Sequence, residues 1–136
     1  MDDGLGPAFA SRMECLNITG LSIESDYQLV VEHALEISKF ETAIFADASL
    51  NSPPPFTFEE IIKTPSGKFN GHSLAPEEVL HFAKTMFSAK TRGFLLGIRG
   101  YEFNGFGEKL SDEAEKNLNE AVAFLEKAFK SPNGPV

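Results

Sequence analysis

The chain has 136 residues, of which 42% are hydrophobic and 24% are charged, and its formal net charge is −8. This length and composition predict one globular domain with its own core and argue against intrinsic disorder. A surface this acidic repels phosphate backbones, which argues against nucleic acid as a partner. The one cysteine, Cys15, excludes an internal disulfide or a cysteine-based zinc cluster. The apolar runs are too short to cross a membrane and no apolar signal segment opens the chain, so we expect a cytoplasmic protein with no membrane partner.

The hydrophobic pattern predicts helices and strands that alternate along the chain. In chain order they are a helix over 5–14, a strand over 16–23, a helix over 26–39, a strand over 42–47, an edge strand over 56–62, a helix over 76–88, a strand over 93–98 and a helix over 111–130. Such alternation is typical of an α/β fold, and we expect a three-layer sandwich with a largely parallel, twisted sheet. The sequence shows no repeat and no second domain, so 1–136 is predicted to be one domain.

Three of the predicted helices carry start signals. Ser25 or Asp26 is placed to cap the helix over 26–39. Pro76 suits the first turn of the next helix, where two acidic residues favour the helix dipole. Ser111 precedes two further acids and is the predicted cap of the last helix.

Two acids and one histidine are the candidates for chemistry. Asp47 ends a predicted buried strand, where a carboxylate needs a partner, a metal, or a turn to cap. Asp3 lies beside Gly4 at the head of a helix and is either an N-cap or a ligand; Asp2 is similar, and we expect it to be the more exposed of the two. His72 lies in a loop next to a glycine, a position also common for surface histidines. Two carboxylates and an imidazole suit an open site for nickel or zinc, although no HExxH or CxxC signature is present.

Short motifs follow one another over nearly the whole chain. They are DDGLGP at 2–7, IFADA at 44–48, GHSL at 71–74, GIRGYE at 97–102 and LSDE at 110–113. Each motif alone is weak, but together their order and spacing resemble those of the hydrogenase maturation proteases. In that family an acidic glycine-rich turn, a central strand with a terminal Asp, a His loop, and a last strand with its closing helix occur in the same order.

The resemblance implies an endopeptidase that removes a short C-terminal extension from the precursor of a [NiFe]-hydrogenase large subunit after nickel insertion. That precursor is the implied partner, and the nickel arrives with it rather than as a resident cofactor. The family's metal-contacting positions match Asp3, Asp47 and His72, which are thus the implied metal ligands. The resemblance leaves the general base open; Asp47 is the candidate catalytic residue if a carboxylate serves.

The resemblance also implies a strand and a Gly-x-Gly-Asn turn ahead of the acidic motif, and the sequence does not contain them. We expect either that the coding start lies upstream or that another chain supplies the strand by exchange. A fold without that strand would leave apolar neighbours and backbone groups uncovered, so lower stability or activity is the expectation.

Two other classes of function fit parts of the sequence. An acidic pair before a helix and an Asp ending a later strand also resemble a phosphoreceiver signalling domain. Such domains place a Lys after the last strand, whereas this chain has Arg99, and they give no role to the His72 loop. A non-catalytic interaction domain is the third alternative.

Overall fold

The computed structural model describes residues 1–26, 28–65, 74–103 and 109–131. The elements in these ranges are, in chain order, a 3-10 turn (Asp2–Gly4), α1 (Leu5–Cys15), α2 (Glu32–Ser38), β1 (Thr42–Ser49), β2 (Phe56–Glu60), α3 (Pro76–Phe87), β3 (Arg92–Arg99) and α4 (Asp112–Lys130). The predicted α/β class is confirmed. Helices and strands are interleaved, as the alternating pattern of the sequence indicated.

The three strands of the described sheet have the order β1-β3-β2. Backbone bonds link Glu41 with Arg92 and Ser49 with Gly100, so β1 and β3 run parallel. The Ile61 amide donates to the Gly93 carbonyl and the Arg99 amide to that of Pro55, so β2 lies antiparallel to β3. The described sheet is therefore mixed, and β2 has the edge position that was predicted for it. An antiparallel neighbour of this kind counts against the doubly wound parallel sheet of a phosphoreceiver domain.

The predicted strand over 16–23 is wrong. Within the described residues α1 ends at Cys15, and no strand precedes β1. Asn17 has a φ of 50° and Gly20 a φ of 83°, both in the left-handed region. Two left-handed residues interrupt an extended ladder, which the alternation of apolar side chains does not reveal.

The helix predicted over 26–39 is real but starts later, at Glu32. Leu29 instead forms an antiparallel bridge with Leu74. Asp26 was a predicted cap of this helix, but its Oδ2 lies 2.9 Å from Nε2 of His33. These two contacts thus take the place of the first turns of the predicted helix.

The helices α3 and α4 begin where the start signals in the sequence predicted. Pro76 is the first residue of α3, and the Glu78 carboxylate accepts from the Ala75 amide at 2.7 Å. The Ser111 hydroxyl accepts from the Ala114 amide and caps α4. In both cases a side chain satisfies a backbone donor that the helix itself leaves unpaired.

The chain divides into two compact units, of which the first comprises Met1–Ser25, Ala46–Thr57 and Gly97–Val136. In this unit α1 packs on α4. The fully buried side chains of these two helices include Leu5, Leu118 and Leu125, and Ile98 of β3 is fully buried in the same unit. The rings of Phe56 and Phe124 add a contact at 5.1 Å between centroids.

The second unit comprises Asp26–Phe45 and Phe58–Leu96. In it α2 packs on α3 around the buried side chains of Ala34, Val79 and Ala83. Within the described residues, no helix is both long and apolar enough to span a membrane.

Candidate functional site

The side chain of Asp2 is fully buried and accepts four hydrogen bonds. Its Oδ2 accepts from the Tyr101 amide at 2.7 Å, from the Glu102 amide at 2.9 Å and from the Ser111 hydroxyl at 2.7 Å. Its Oδ1 accepts from the Ser111 amide at 2.8 Å. The Asp2 amide in turn donates to the Glu102 carbonyl at 2.8 Å. The expectation that Asp2 is the more exposed acid is therefore wrong.

The electrostatic state of Asp2 follows from these contacts. Burial by itself raises the pKa of this carboxyl, because the charged form loses its water. The hydrogen bonds from Ser111, Glu102 and Tyr101 outweigh burial, and the pKa of Asp2 is held below its usual range. Asp2 is consequently a buried anion whose charge is balanced by backbone and hydroxyl donors.

Asp3, the next residue, is placed in the opposite way. Its side chain is 74% exposed, and its Oδ1 accepts from the amino group of Met1 at 2.8 Å. This hydrogen bond and the positive charge lower the pKa of Asp3, which therefore remains an anion at neutral pH. An exposed ion pair of this kind is weak and can be exchanged for another cation.

Asp47 lies in β1, which continues to Ser49 rather than ending at the acid. Its side chain is exposed, and its Oδ1 accepts from the amide of Ala48 at 2.8 Å. That contact is a local side-chain-to-backbone bond within β1 rather than the cap of a following turn. It occupies one carboxylate oxygen, while Oδ2 makes no hydrogen bond within the described residues.

The acidic turn and Asp47 belong to the same unit, and Gly6 lies between them. A Cβ at Gly6 would lie 3.2 Å from the Ala46 carbonyl oxygen and 3.8 Å from Oδ1 of Asp47. The glycine thus lets the start of α1 approach the end of β1. Asp3 is three residues before Gly6, at the turn that leads into this contact.

The segment after Asp47 is held by hydroxyl groups. The Ser52 hydroxyl donates to that of Ser49 at 2.6 Å and lies 3.1 Å from that of Thr57. The guanidinium of Arg99 donates to the Ser52 carbonyl at 3.0 Å. These bonds fix the turn that follows the acid, and no pattern in the sequence predicted them.

The predicted third ligand, His72, lies outside the described residues. The other two histidines were predicted to be structural or exposed. His33 lies 2.9 Å from Asp26, and His81 is half-buried on α3 beside the ring of Phe82. The structure therefore places Asp3 and Asp47 in one unit, and the His72 assignment stays a prediction.

Comparison with known proteins gives the fold. No protein-family model and no curated protein matches this sequence. The structure is similar to a [NiFe] hydrogenase maturation protease, HycI, from Thermococcus kodakarensis KOD1, with a TM-score of 0.74 and 19% identity. That alignment covers 96% of this chain and 85% of the other. The chain has the hydrogenase maturation protease fold.

A second solved structure supports the same conclusion. The hydrogenase 2 maturation peptidase from Thaumarchaeota archaeon SCGC_AB-539-E09 matches with a TM-score of 0.62 and 18% identity, covering 95% of this chain and 89% of that one. The resemblance read from short motifs is thus confirmed at the level of the maturation protease fold. Structural similarity at such low sequence identity establishes the fold but not the activity, because activity depends on the residues of the site.

Proposed function

We propose that this protein is an endopeptidase that removes the C-terminal extension from the precursor of a [NiFe]-hydrogenase large subunit. The observation that carries the proposal is the maturation protease fold together with two open carboxylates, Asp3 and Asp47, in the same unit. Asp2, which is adjacent in sequence, is fully buried and accepts four hydrogen bonds, so it is unsuited to a ligand role.

In this proposal the nickel belongs to the substrate. Asp3 and Asp47 supply oxygen ligands to nickel carried in by the precursor, and His72 supplies a nitrogen ligand. Both described carboxylates are exposed, as recognition of a metal on another protein requires.

The hydrolytic step needs a polarised peptide carbonyl and an activated water. A metal ion supplies the first by withdrawing electron density from the carbonyl oxygen. Asp47 is the residue we assign as general base, because its Oδ2 is not occupied by another described donor. Its Oδ1 bond to the Ala48 amide holds the carboxylate in one orientation.

The experiment mixes the protein with nickel-loaded precursor and follows the mass of the large subunit. We expect loss of the C-terminal extension with the wild type and strong loss of cleavage in the Asp3→Asn, Asp47→Asn and His72→Gln variants. Glu120→Gln, which removes an exposed carboxylate from α4, is the matched control. An intact precursor after incubation with the wild type would sink the protease assignment and favour an interaction domain.

Nickel recognition is tested in the same assay with nickel-free precursor. The proposal expects this precursor to remain uncut. Cleavage of the nickel-free form at the same rate would retain the protease activity but remove the metal-sensing role of the three residues.

A further inference from the structure

The two acids at the start of the chain differ in what they can do. Asp2 is fully buried and accepts four hydrogen bonds, whereas Asp3 is open to solvent. Three of the four donors share Oδ2 of Asp2 and one binds Oδ1, and neither oxygen is open to solvent because the side chain is fully buried. The hydrogen bonds of Asp2 therefore stabilise the fold around Asp3, and Asp2 itself does not bind a ligand.

The donors to Asp2 come from two distant elements. Tyr101 and Glu102 follow the end of β3, and Ser111 is the N-cap of α4. The Asp2 amide also donates to Glu102, so the main chain and the side chain of one residue hold the same segment. The 3-10 turn Asp2–Gly4 is thereby fixed to both ends of the connection between β3 and α4.

The packing around Asp2 leaves this turn little room. A Cβ at Gly100 would lie 2.8 Å from the Cβ of Asp2 and 2.7 Å from the ring of Phe103. The end of β3 is itself held to α4, since the Asn117 amide group donates to the Arg99 carbonyl at 3.0 Å. Asp2 is thus bound to a segment that follows a strand end which is itself hydrogen-bonded to α4.

We propose that Asp2 is a positioning residue: through its bonds to Tyr101, Glu102 and Ser111 it holds the turn that presents Asp3 to the substrate's metal. This inference rests on the proposed function for the role of Asp3. The anchoring of the turn itself is a separate, structural statement. Misplacement of a ligand by about 1 Å is enough to lower a rate by roughly 100-fold.

The test uses Asp2→Asn, which keeps the shape of the side chain. An amide in this place turns an NH2 group toward at least one of the existing donors, so the bond set cannot be completed. Ser111→Ala is the second variant: it removes the hydroxyl that donates to Asp2 and also caps α4, and Ser111→Thr restores both contacts. Thr91→Val is the matched control: it removes a buried hydroxyl from the second unit.

We expect Asp2→Asn to lower kcat for precursor cleavage by about 10- to 100-fold, at a temperature where every variant is folded. KM should rise as well, because Asp3, which Asp2 positions, binds a metal that belongs to the precursor. Ser111→Ala should show a smaller loss that Ser111→Thr recovers. A folded Asp2→Asn protein with wild-type kcat overturns the proposal, and so does an equal loss in Thr91→Val.

Amide hydrogen exchange on the same proteins separates this inference from the proposed function. Faster exchange at residue 2 and at Gly4, whose amides donate to the carbonyls of Glu102 and Met1, supports the anchoring of the turn if it occurs in Asp2→Asn but not in Thr91→Val. Unchanged exchange there overturns it. A wild type that does not cleave the precursor is a failure of the proposed function, and the exchange result then decides the anchoring on its own.

Discussion

Asp2 and Ser111 are 109 positions apart in sequence and share two hydrogen bonds, one from the Ser111 amide and one from its hydroxyl. The same hydroxyl accepts from the Ala114 amide at 3.2 Å. One serine thus joins the first turn of the chain to the first turn of α4. Because the acceptor is a buried anion, these bonds are of the stronger, charge-assisted type.

Acid should weaken the fold through Asp2. Its folded pKa lies below the ordinary value of 3.8, so its contribution to stability is fully present above that value. The contribution is lost as pH falls through the folded pKa, because the unfolded chain then binds the proton more tightly. The measurement is the free energy of unfolding of wild type and Asp2→Asn between pH 7 and about pH 2. The gap between them should narrow below about pH 4; a gap that stays constant contradicts the assignment.

Gly100→Ala should destabilise the first unit. Its new Cβ would lie under 3 Å from both Asp2 and the ring of Phe103, so the packing must shift. We expect a loss of about 1–3 kcal/mol, the usual cost of overpacking. Gly4→Ala is the control, because its Cβ would meet only the end of Leu110, at 3.9 Å. Chemical denaturation measures both, and equal losses would show that the close approach at Gly100 has no special cost.

Thr91→Val tests a hydroxyl in the second unit. Thr91 is buried, and its hydroxyl lies 3.0 Å from the Ile37 carbonyl oxygen and 2.8 Å from that of Phe40. Valine keeps the shape but removes the donor, and the expected loss is about 1–3 kcal/mol. Thr85→Val provides the comparison, because Thr85 is exposed on α3 and its hydroxyl donates to the His81 carbonyl of the same helix. The free energies of unfolding should separate the two variants.

Leu118→Ala should be among the costliest single changes in the first unit. Leu118 is 1% exposed, and it lies on the stripe of α4 that packs against α1. Removing its side chain leaves a cavity, with an expected loss of about 2–5 kcal/mol. Leu50→Ala removes the same atoms from a side chain that is 70% exposed, and its effect on the melting temperature should be small. A small effect at Leu118 would mean that the helix pair is not the core of this unit.

The sequence was sufficient to predict the α/β class and four of its elements, β1, β3, α3 and α4, because the signals for these elements are local. A buried strand appears as a short apolar run, and a helix as an apolar stripe with a cap such as Ser111. The prediction of a strand over 16–23 was wrong because the hydrophobic pattern carries no information about the left-handed backbone angles at Asn17 and Gly20. The predicted start of α2 was wrong because Leu29 forms a bridge with Leu74, a residue far away in the chain.

For the candidate site, the sequence determined which residue types are available, namely the acids and the His72 motif. Only the tertiary structure decided which of these acids is buried and hydrogen-bonded and which is exposed to solvent. Asp2 and Asp3 are neighbours with the same side chain, so no local pattern distinguishes the buried anchor from the open carboxylate. The distinction comes from donors about 100 residues away, at Tyr101, Glu102 and Ser111, because a buried charge is stable only where the fold brings such donors to it.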